Sequence, residues 1–419
     1  HKKDATSRLP RMGDAKDPAV SCATDEVVGV NSPEGSLGLE RTNERADTAA
    51  KTAVRGGESS QSLELASTAL KELYEIHDTF FSSDKEEKKR RLESKAAQVQ
   101  EALSAVGDAP TLQDRARYAY IRGRCLDVFS DFDKEAETCL SRAVKLRPSD
   151  TNAWNALGHC LWKKPDLFGA KRCFVQALNK ERRVESLRHL SMLLRQLPGS
   201  AGEQAECLEE SLRLAKEAVT RDITSGESWY VLGNAYVASF FRNSRGMKDL
   251  DRALQAYAKA EANGGGKNPD LFFNRAQVLL YREDYSEAAR DYRQAQRLDP
   301  SLPVSQSLHD IEAGVERLAE LVEKKGGLKH KRLSQLVSGL RGVSLDDDDG
   351  KRPQRVVCLK DLKLGVNAGA AIPLKAVMLA GHGASPPERL LVVDAEGACA
   401  VLSLYSITKE ACDKIHPRD

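Results

Sequence analysis

No stretch of this 419-residue chain approaches the roughly 20 consecutive apolar residues that a membrane-spanning helix needs, and its N-terminus does not read as a secretory leader. Neither sign of charge dominates. Lysine plus arginine number 64 and aspartate plus glutamate 62, a formal +2, so no global field steers the chain to nucleic acid or membrane, and an electrostatic partner must be met by a local patch. The 9 cysteines include no C-x2-C pair and no histidine at zinc spacing, which predicts buried free thiols in a reducing compartment and no metal site. There is no G-x4-G-K-S/T, G-x-G-x2-G, H-E-x2-H or G-x-S-x-G, and Gly264-Gly265-Gly266 reads as an insertion in a loop. The expectation is a soluble intracellular protein with no catalytic residue and no cofactor. The chain opens on His1, which is read as a processed or incomplete start.

What the sequence does contain is a repeat. Ala136, Ala170, Ser211, Ala253 and Ala288 share one phase, each followed four residues on by Leu140, Phe174, Ala215, Tyr257 or Tyr292 and three further by an alanine. Their gaps are 34, 41, 42 and 35 residues, close to the 34-residue unit of the tetratricopeptide repeat, a helical hairpin. Upstream, Trp154-x2-Leu157-Gly158-x2-Leu161 and Trp229-x2-Leu232-Gly233-x2-Tyr236 follow that repeat's W-x2-L-G-x2-Y pattern. Leu187, Leu190, Ser191 and Leu194 mark a degenerate copy, and Phe272, Ala276 and Leu279 another. A fifth lies around Tyr120 and Gly123 if one residue is inserted. Small residues let two helix backbones approach, while Trp154, Phe174, Tyr236 and Tyr257 fill the space between neighbours.

The fold class is therefore mainly α, a tetratricopeptide-repeat superhelix followed by a small, incomplete β domain. Residues 1–60 are rich in Gly, Ser, Thr, Asp and Lys and predict disorder. Residues 61–108 hold a helical pair, Leu63–Phe81 and Lys85–Val106, whose mixed-sign run Lys85–Arg91 reads as a solvated face rather than a nucleic-acid patch. The superhelix covers 109–325 and ends in an amphipathic capping helix, Val304–Lys325, because a terminal repeat needs its apolar face sealed. Residues 326–352 follow as a basic segment with an acidic linker. The basic charges from the end of the cap onward are Lys324, Lys325, Lys329, His330, Lys331, Arg332 and Arg341, and the linker is Asp346–Gly350. In 353–419 the period shortens to apolar runs at Ala371–Met378, Leu390–Asp394 and Ala398–Tyr405, with a hairpin turn at Asp394–Gly397.

In such a superhelix the first helix of each hairpin lines the inner surface. Counting from the tryptophan-like position puts Asn155, His159, Arg195, Asn234, Asp270 and Asn274 on that wall. Asparagines can pair with the backbone of an extended peptide, and Arg195 and Asp270 would fix ligand charges of opposite sign. A groove that clamps a C-terminal carboxylate needs paired lysines and asparagines. Asp270 opposes that reading.

Segments covering non-consensus positions carry a closer resemblance. Ala153–Gly158, Trp162–Lys164, Leu190–Leu197, Ser228–Tyr236 and Asn268–Ala276 resemble the tetratricopeptide repeat protein 5 family, also called the stress-responsive activator family, over about residues 63–406. The resemblance implies recognition of the Met-Arg-Glu N-terminus of nascent tubulin at the ribosome, and decay of tubulin mRNA through an adaptor and a deadenylase complex. It also implies an alternative role as a nuclear co-activator scaffold for a histone acetyltransferase, hence a cytoplasmic and also nuclear location. Arg195 and Asp270 match the family's groove residues, Arg195 to meet the ligand glutamate and Asp270 its arginine. Lys329 and Lys331 fall in its ribosome-contacting segment, where lysines meet RNA phosphate. His330 stands where the family pattern has proline. The β region is similar to the family's C-terminal OB fold, which needs five strands. The match fades after Ile407, and Tyr405 is its lone stacking aromatic, so single-strand nucleic-acid binding is not assigned to it.

Overall fold

A computed structural model describes residues 41–82, 84–107, 111–244, 246–340, 355–363, 365, 367, 370–380 and 387–405, with side chains of α1 from Ser59 onward. The expected linker Asp346–Gly350, Arg341, residues 1–40 and the stretch past Tyr405 lie outside the described residues. The helices run α1 (Arg41–Thr79), α2 (Lys85–Ser104), α3 (Leu112–Leu126), α4 (Lys134–Leu146), α5 (Thr151–Lys163), α6 (Leu167–Lys180) and α7 (Val184–Leu194). They continue with α8 (Ala201–Arg221), α9 (Gly226–Ser239), α10 (Met247–Ala262), α11 (Pro269–Tyr281), α12 (Tyr285–Leu298), α13 (Val304–Glu323) and α14 (His330–Ser338). The strands are β1 (Arg355–Val356), β2 (Ala370–Ala371), β3 (Lys375–Leu379), β4 (Glu388–Val393) and β5 (Cys399–Leu404).

The helix starts follow local chemistry. Asp133, Asp150 and Asp166 cap α4, α5 and α6 through their carboxylates, Ser200 and Glu203 form a reciprocal capping box on α8, and Asn268 caps α11 ahead of Pro269. The repeat phase is the packing phase: Ala136, Ala170, Ser211, Ala253 and Ala288 are all fully buried, as are Leu140, Phe174, Ala215 and Tyr257. Close approach is enforced by glycine. A Cβ on Gly158 would fall 2.5 Å from the Phe174 ring, and one on Gly123 would fall 2.7 Å from Leu140. Trp154 and Trp229 each donate their indole N–H to the carbonyl six residues upstream, of Pro148 and Ile223, at 2.9 and 2.8 Å. These bonds tie each helix to the loop before it.

Two compact units emerge, residues 1–80 with 84–243 and residues 81–83 with 244–419. The division falls between α9 and α10, inside the stretch expected as one continuous superhelix. In the first unit α1, α2 and α3 share one core around Leu63, Leu73, Val99 and Ile121, and a second core joins α3 to α8 around Leu140, Phe174, Leu187 and Leu214. Helix α1 starts at Arg41, so the disorder expected through Ser60 is corrected over its last 20 residues. Ala46, Ala49, Ala50 and Ala53 favour helix there, and Ser59 anchors the helix by donating to the Val106 carbonyl at 2.8 Å.

In the second unit α11, α12 and α13 bury Ala276, Leu279, Tyr292, Val304 and Ile311 together, so α13 seals the last hairpin as expected of a cap. The described strands form a parallel pair, β1 with β2, and an antiparallel meander β3-β4-β5. The meander falls in the region expected as a partial OB-fold-like domain, 353–419. It belongs to the helical unit: Tyr405 Oη donates to the Tyr281 carbonyl at 3.0 Å, Arg389 pairs with Glu283, and Lys325 Nζ donates to the Gly397 carbonyl at 3.0 Å. Three strands cannot cover both of their own faces, and the helices supply the cover. The turn expected at Asp394–Gly397 joins β4 to β5, with Val393 opposite Cys399 and Gly397 at φ 84°. Asp394, fully buried, accepts backbone N–H bonds from Leu359, Glu396 and Ala398, each at 2.9 Å. Burial pushes this carboxyl up, but the surrounding N–H donors outweigh it and hold it below its ordinary value.

Overpacking against Phe174 should make Gly158→Ala lower the unfolding free energy by about 1–3 kcal/mol in urea titration, whereas Gly202→Ala, inside α8 with open space around it, should leave stability unchanged or raise it by up to about 1 kcal/mol. Asp394→Ala should destabilise the second unit by about 1–3 kcal/mol through orphaned N–H groups. Because the folded carboxyl sits below its unfolded value, its contribution is complete above about pH 4 and fades as pH falls through the folded pKa; urea titrations of both proteins at pH 7 and pH 3 check this.

Candidate functional site

The first helices of successive hairpins in the first unit, α3, α5, α7 and α9, set polar and aromatic side chains in a row. Asn155 on α5 donates its Nδ2 to Ser186 Oγ of α7 at 2.9 Å. It is only 2% exposed, so it serves the contact between helices rather than standing on an open wall. Its Oδ1 has no hydrogen-bond partner among the described residues. Turning the amide over would let Ser186 donate to Oδ1 and leave the NH2 unpaired instead, so one half of this amide is unsatisfied either way.

His159, four residues on, meets His189 of α7 edge to face, with ring centroids 4.1 Å apart and planes at 83°. Trp162 stacks beside it at 6.1 Å and Phe174 packs edge-on at 5.4 Å. Burial first, then the charges of Arg124 and Lys163, push the His159 imidazole down to about 4. His189 is held well below its ordinary value by burial, then by His159, Arg188 and Arg124. Both rings are therefore neutral near pH 7. His189 Nδ1 and Arg124 Nε are buried without a hydrogen-bond partner among the described residues. Around them the charges are arranged in pairs: Lys163 with Asp127 at 3.2 Å, Arg188 with Glu227 at 2.5 Å, and the Arg124 guanidinium over the Tyr74 ring at 3.9 Å.

Arg195 closes α7 as its C-cap, half-buried, and its carbonyl accepts from Arg242 at 3.2 Å. Beside it, Gln196 Oε1 accepts the Trp162 indole N–H at 2.9 Å. Asn234 lies half-buried on α9. Among these residues the structure brings Asn155 and His159 together, through their shared contacts with α7.

Asp270 and Asn274 belong to the second unit, on α11. Asp270 stands exposed in the first turn; the bulk around its carboxyl and then Asp299 push it above the ordinary carboxylate range. Asn274 is half-buried, and its neighbour Arg275 forks onto buried Asp291 at 2.6 and 3.0 Å while reaching Glu261 at 2.6 Å. Lys329 is the N-cap of α14 and Lys331 lies in its first turn, both exposed.

Sequence reasoning missed Arg124 and His189. Setting Gly123 against Gly158 and Gly233 puts Arg124 at the phase of His159 and Asn234, and His189 stands two places after Leu187, a position the counting rule already assigned to the inner wall. Both signals were available. The inserted residue and the degenerate third copy obscured them.

A sequence profile of the tetratricopeptide repeat matches residues 269–302, the hairpin α11–α12. Mouse tetratricopeptide repeat protein 5 is 34% identical over 352 residues, covering 80% of this chain and 80% of that protein. The human protein of the same name is 34% identical over 359 residues, covering 81% of this chain and 80% of its own. Among solved structures, a thermophilic tetratricopeptide-repeat protein of Thermus thermophilus aligns with a TM-score of 0.37 and 19% identity, over 48% of this chain and 100% of that one. Among the described residues no helix is long and apolar enough to cross a membrane. With relatives aligned over four fifths of both lengths and the repeat phase matching the buried phase, this chain belongs to the tetratricopeptide repeat protein 5 family.

Proposed function

We propose that this protein is a non-catalytic adaptor whose repeat helices bind an extended peptide, the Met-Arg-Glu N-terminus of nascent tubulin at the ribosome, and so trigger decay of the tubulin mRNA through a recruited adaptor and deadenylase complex. The observation that carries the peptide reading is the pair of buried polar atoms on α3 and α7 without a hydrogen-bond partner among the described residues, Arg124 Nε and His189 Nδ1. Each such group costs about 1–3 kcal/mol when unsatisfied. A bound peptide offers both donors and acceptors to offset that cost. Arg195 is the residue for the ligand glutamate and Asp270 for its arginine, whose charge would draw the raised Asp270 carboxyl back into its ionised form.

The ribosomal contact is assigned to α14. Cationic residues at a helix N-terminus oppose the helix dipole, yet Lys329, Lys331 and Arg332 all stand there, and no side chain caps the helix. Exposed N–H groups and lysines at one point suit an RNA phosphate.

By calorimetry with a Met-Arg-Glu-starting peptide, Arg195→Ala and Asp270→Ala are each expected to weaken binding by about 1.5–3 kcal/mol, as for lost charged hydrogen bonds; equal affinity in all three proteins removes the assignment. Neutralising Lys329 and Lys331 should weaken co-sedimentation with ribosomes, leave the peptide affinity intact, and flatten the salt dependence of ribosome binding by about 0.7–0.9 in log-log slope per lysine.

A further inference from the structure

We propose that Arg124, His159 and His189 form an anion subsite that receives a glutamate or aspartate side chain of the bound peptide. This rests on the peptide-binding reading above but concerns residues to which that reading gives no charged ligand group. Two buried donors, Arg124 Nε and the Nδ1 of His189 when it carries a proton, point to no acceptor among the described residues. The two imidazoles touch edge to face at 4.1 Å, and Trp162 and Phe174 wall them with aromatic surface. Both residues keep part of their surface exposed, while the two unpaired nitrogens themselves are buried.

The charges facing the pair are cations from three helices: Arg124 of α3, Lys163 of α5 and Arg188 of α7. Asp127 answers Lys163 and Glu227 answers Arg188. Arg124 has Tyr74 and Tyr120 beside it and Glu185 as its acidic neighbour, and its Nε stays unbonded. The recess thus holds positive potential, missing acceptors and a low-dielectric wall, and a carboxylate supplies what each of these lacks.

Proton linkage follows. An opposite charge at bonding distance raises an imidazole pKa by about 1–3, which would bring His159 up from about 4 towards neutrality. The complex therefore takes up a proton, and affinity for an acidic ligand rises as pH falls from 8 to 6.

The test uses the full chain and three probes: a capped alternating Gly-Glu octapeptide, its Gly-Gln counterpart, and the Met-Arg-Glu-starting peptide. Calorimetry in buffers of different ionisation enthalpy reads affinity and protons exchanged. The Glu peptide should bind at least 10-fold tighter than the Gln peptide, with proton uptake at pH 6. Arg124→Gln should erase that preference. His159→Asn, which keeps a donor and an acceptor but cannot titrate, should reduce the proton uptake while circular dichroism stays native. Equal binding of the Glu and Gln peptides, no binding of either, or a preference and proton uptake untouched by both substitutions overturns the subsite. If that happens while the Met-Arg-Glu peptide still binds, the tubulin reading stands without it; the reverse pattern supports the subsite and removes the tubulin reading.

Discussion

The contact on which the first unit depends is the near-touching of two helices inside the α3–α4 and α5–α6 hairpins, at a point where one contributes no side chain at all. Gly123 faces Leu140 and Gly158 faces Phe174 at distances that no Cβ could share. The closeness fixes the rotation of each helix about its axis. Once that rotation repeats from hairpin to hairpin, facing sides of α5 and α7 come together, and there Asn155 finds Ser186 and His159 finds His189. The polar row is a by-product of core packing and not of any separate positioning device.

The repeat phase could be read directly from sequence because it is written in residue size, and size decides what a close contact tolerates. The five small positions and their partners four residues on are buried in the structure as the pattern required. Depth along that phase was less accessible. Counting placed Asn155 on an open wall, whereas neighbouring α7 covers it, because phase gives a direction around the helix and says nothing about how near the next helix lies. The division between α9 and α10 was likewise invisible, since the spacing of small residues carries on through it. At the other end, the short runs and the Asp394–Gly397 turn identified the strands, but their dependence on Glu283, Tyr281 and Lys325 joins residues roughly a hundred positions apart and has no local signature.

The row on α3, α5 and α7 runs against the economy of the rest of the core. Other buried polar groups are answered within the chain, as where Ser191 bonds to Ser211, Arg275 to Asp291, and Asp394 to its ring of N–H groups. Around the histidine pair bonds go unmade among the described residues, and cations gather beside imidazoles that burial and those charges keep neutral. Local rules are broken here and obeyed around it, the contrast expected where selection acts on binding rather than on folding.

All three tryptophans of the chain lie in the first unit, and they differ in what holds them. Trp154 and Trp229 are tethered to loop carbonyls, while Trp162 stacks on His159 and hydrogen-bonds to Gln196, the residue next to Arg195. Imidazolium quenches indole emission where neutral imidazole does so far less. The molecule thus carries its own optical gauge: two lamps fixed to the scaffold as an internal reference, and a third whose brightness follows the protonation of the ring it leans on.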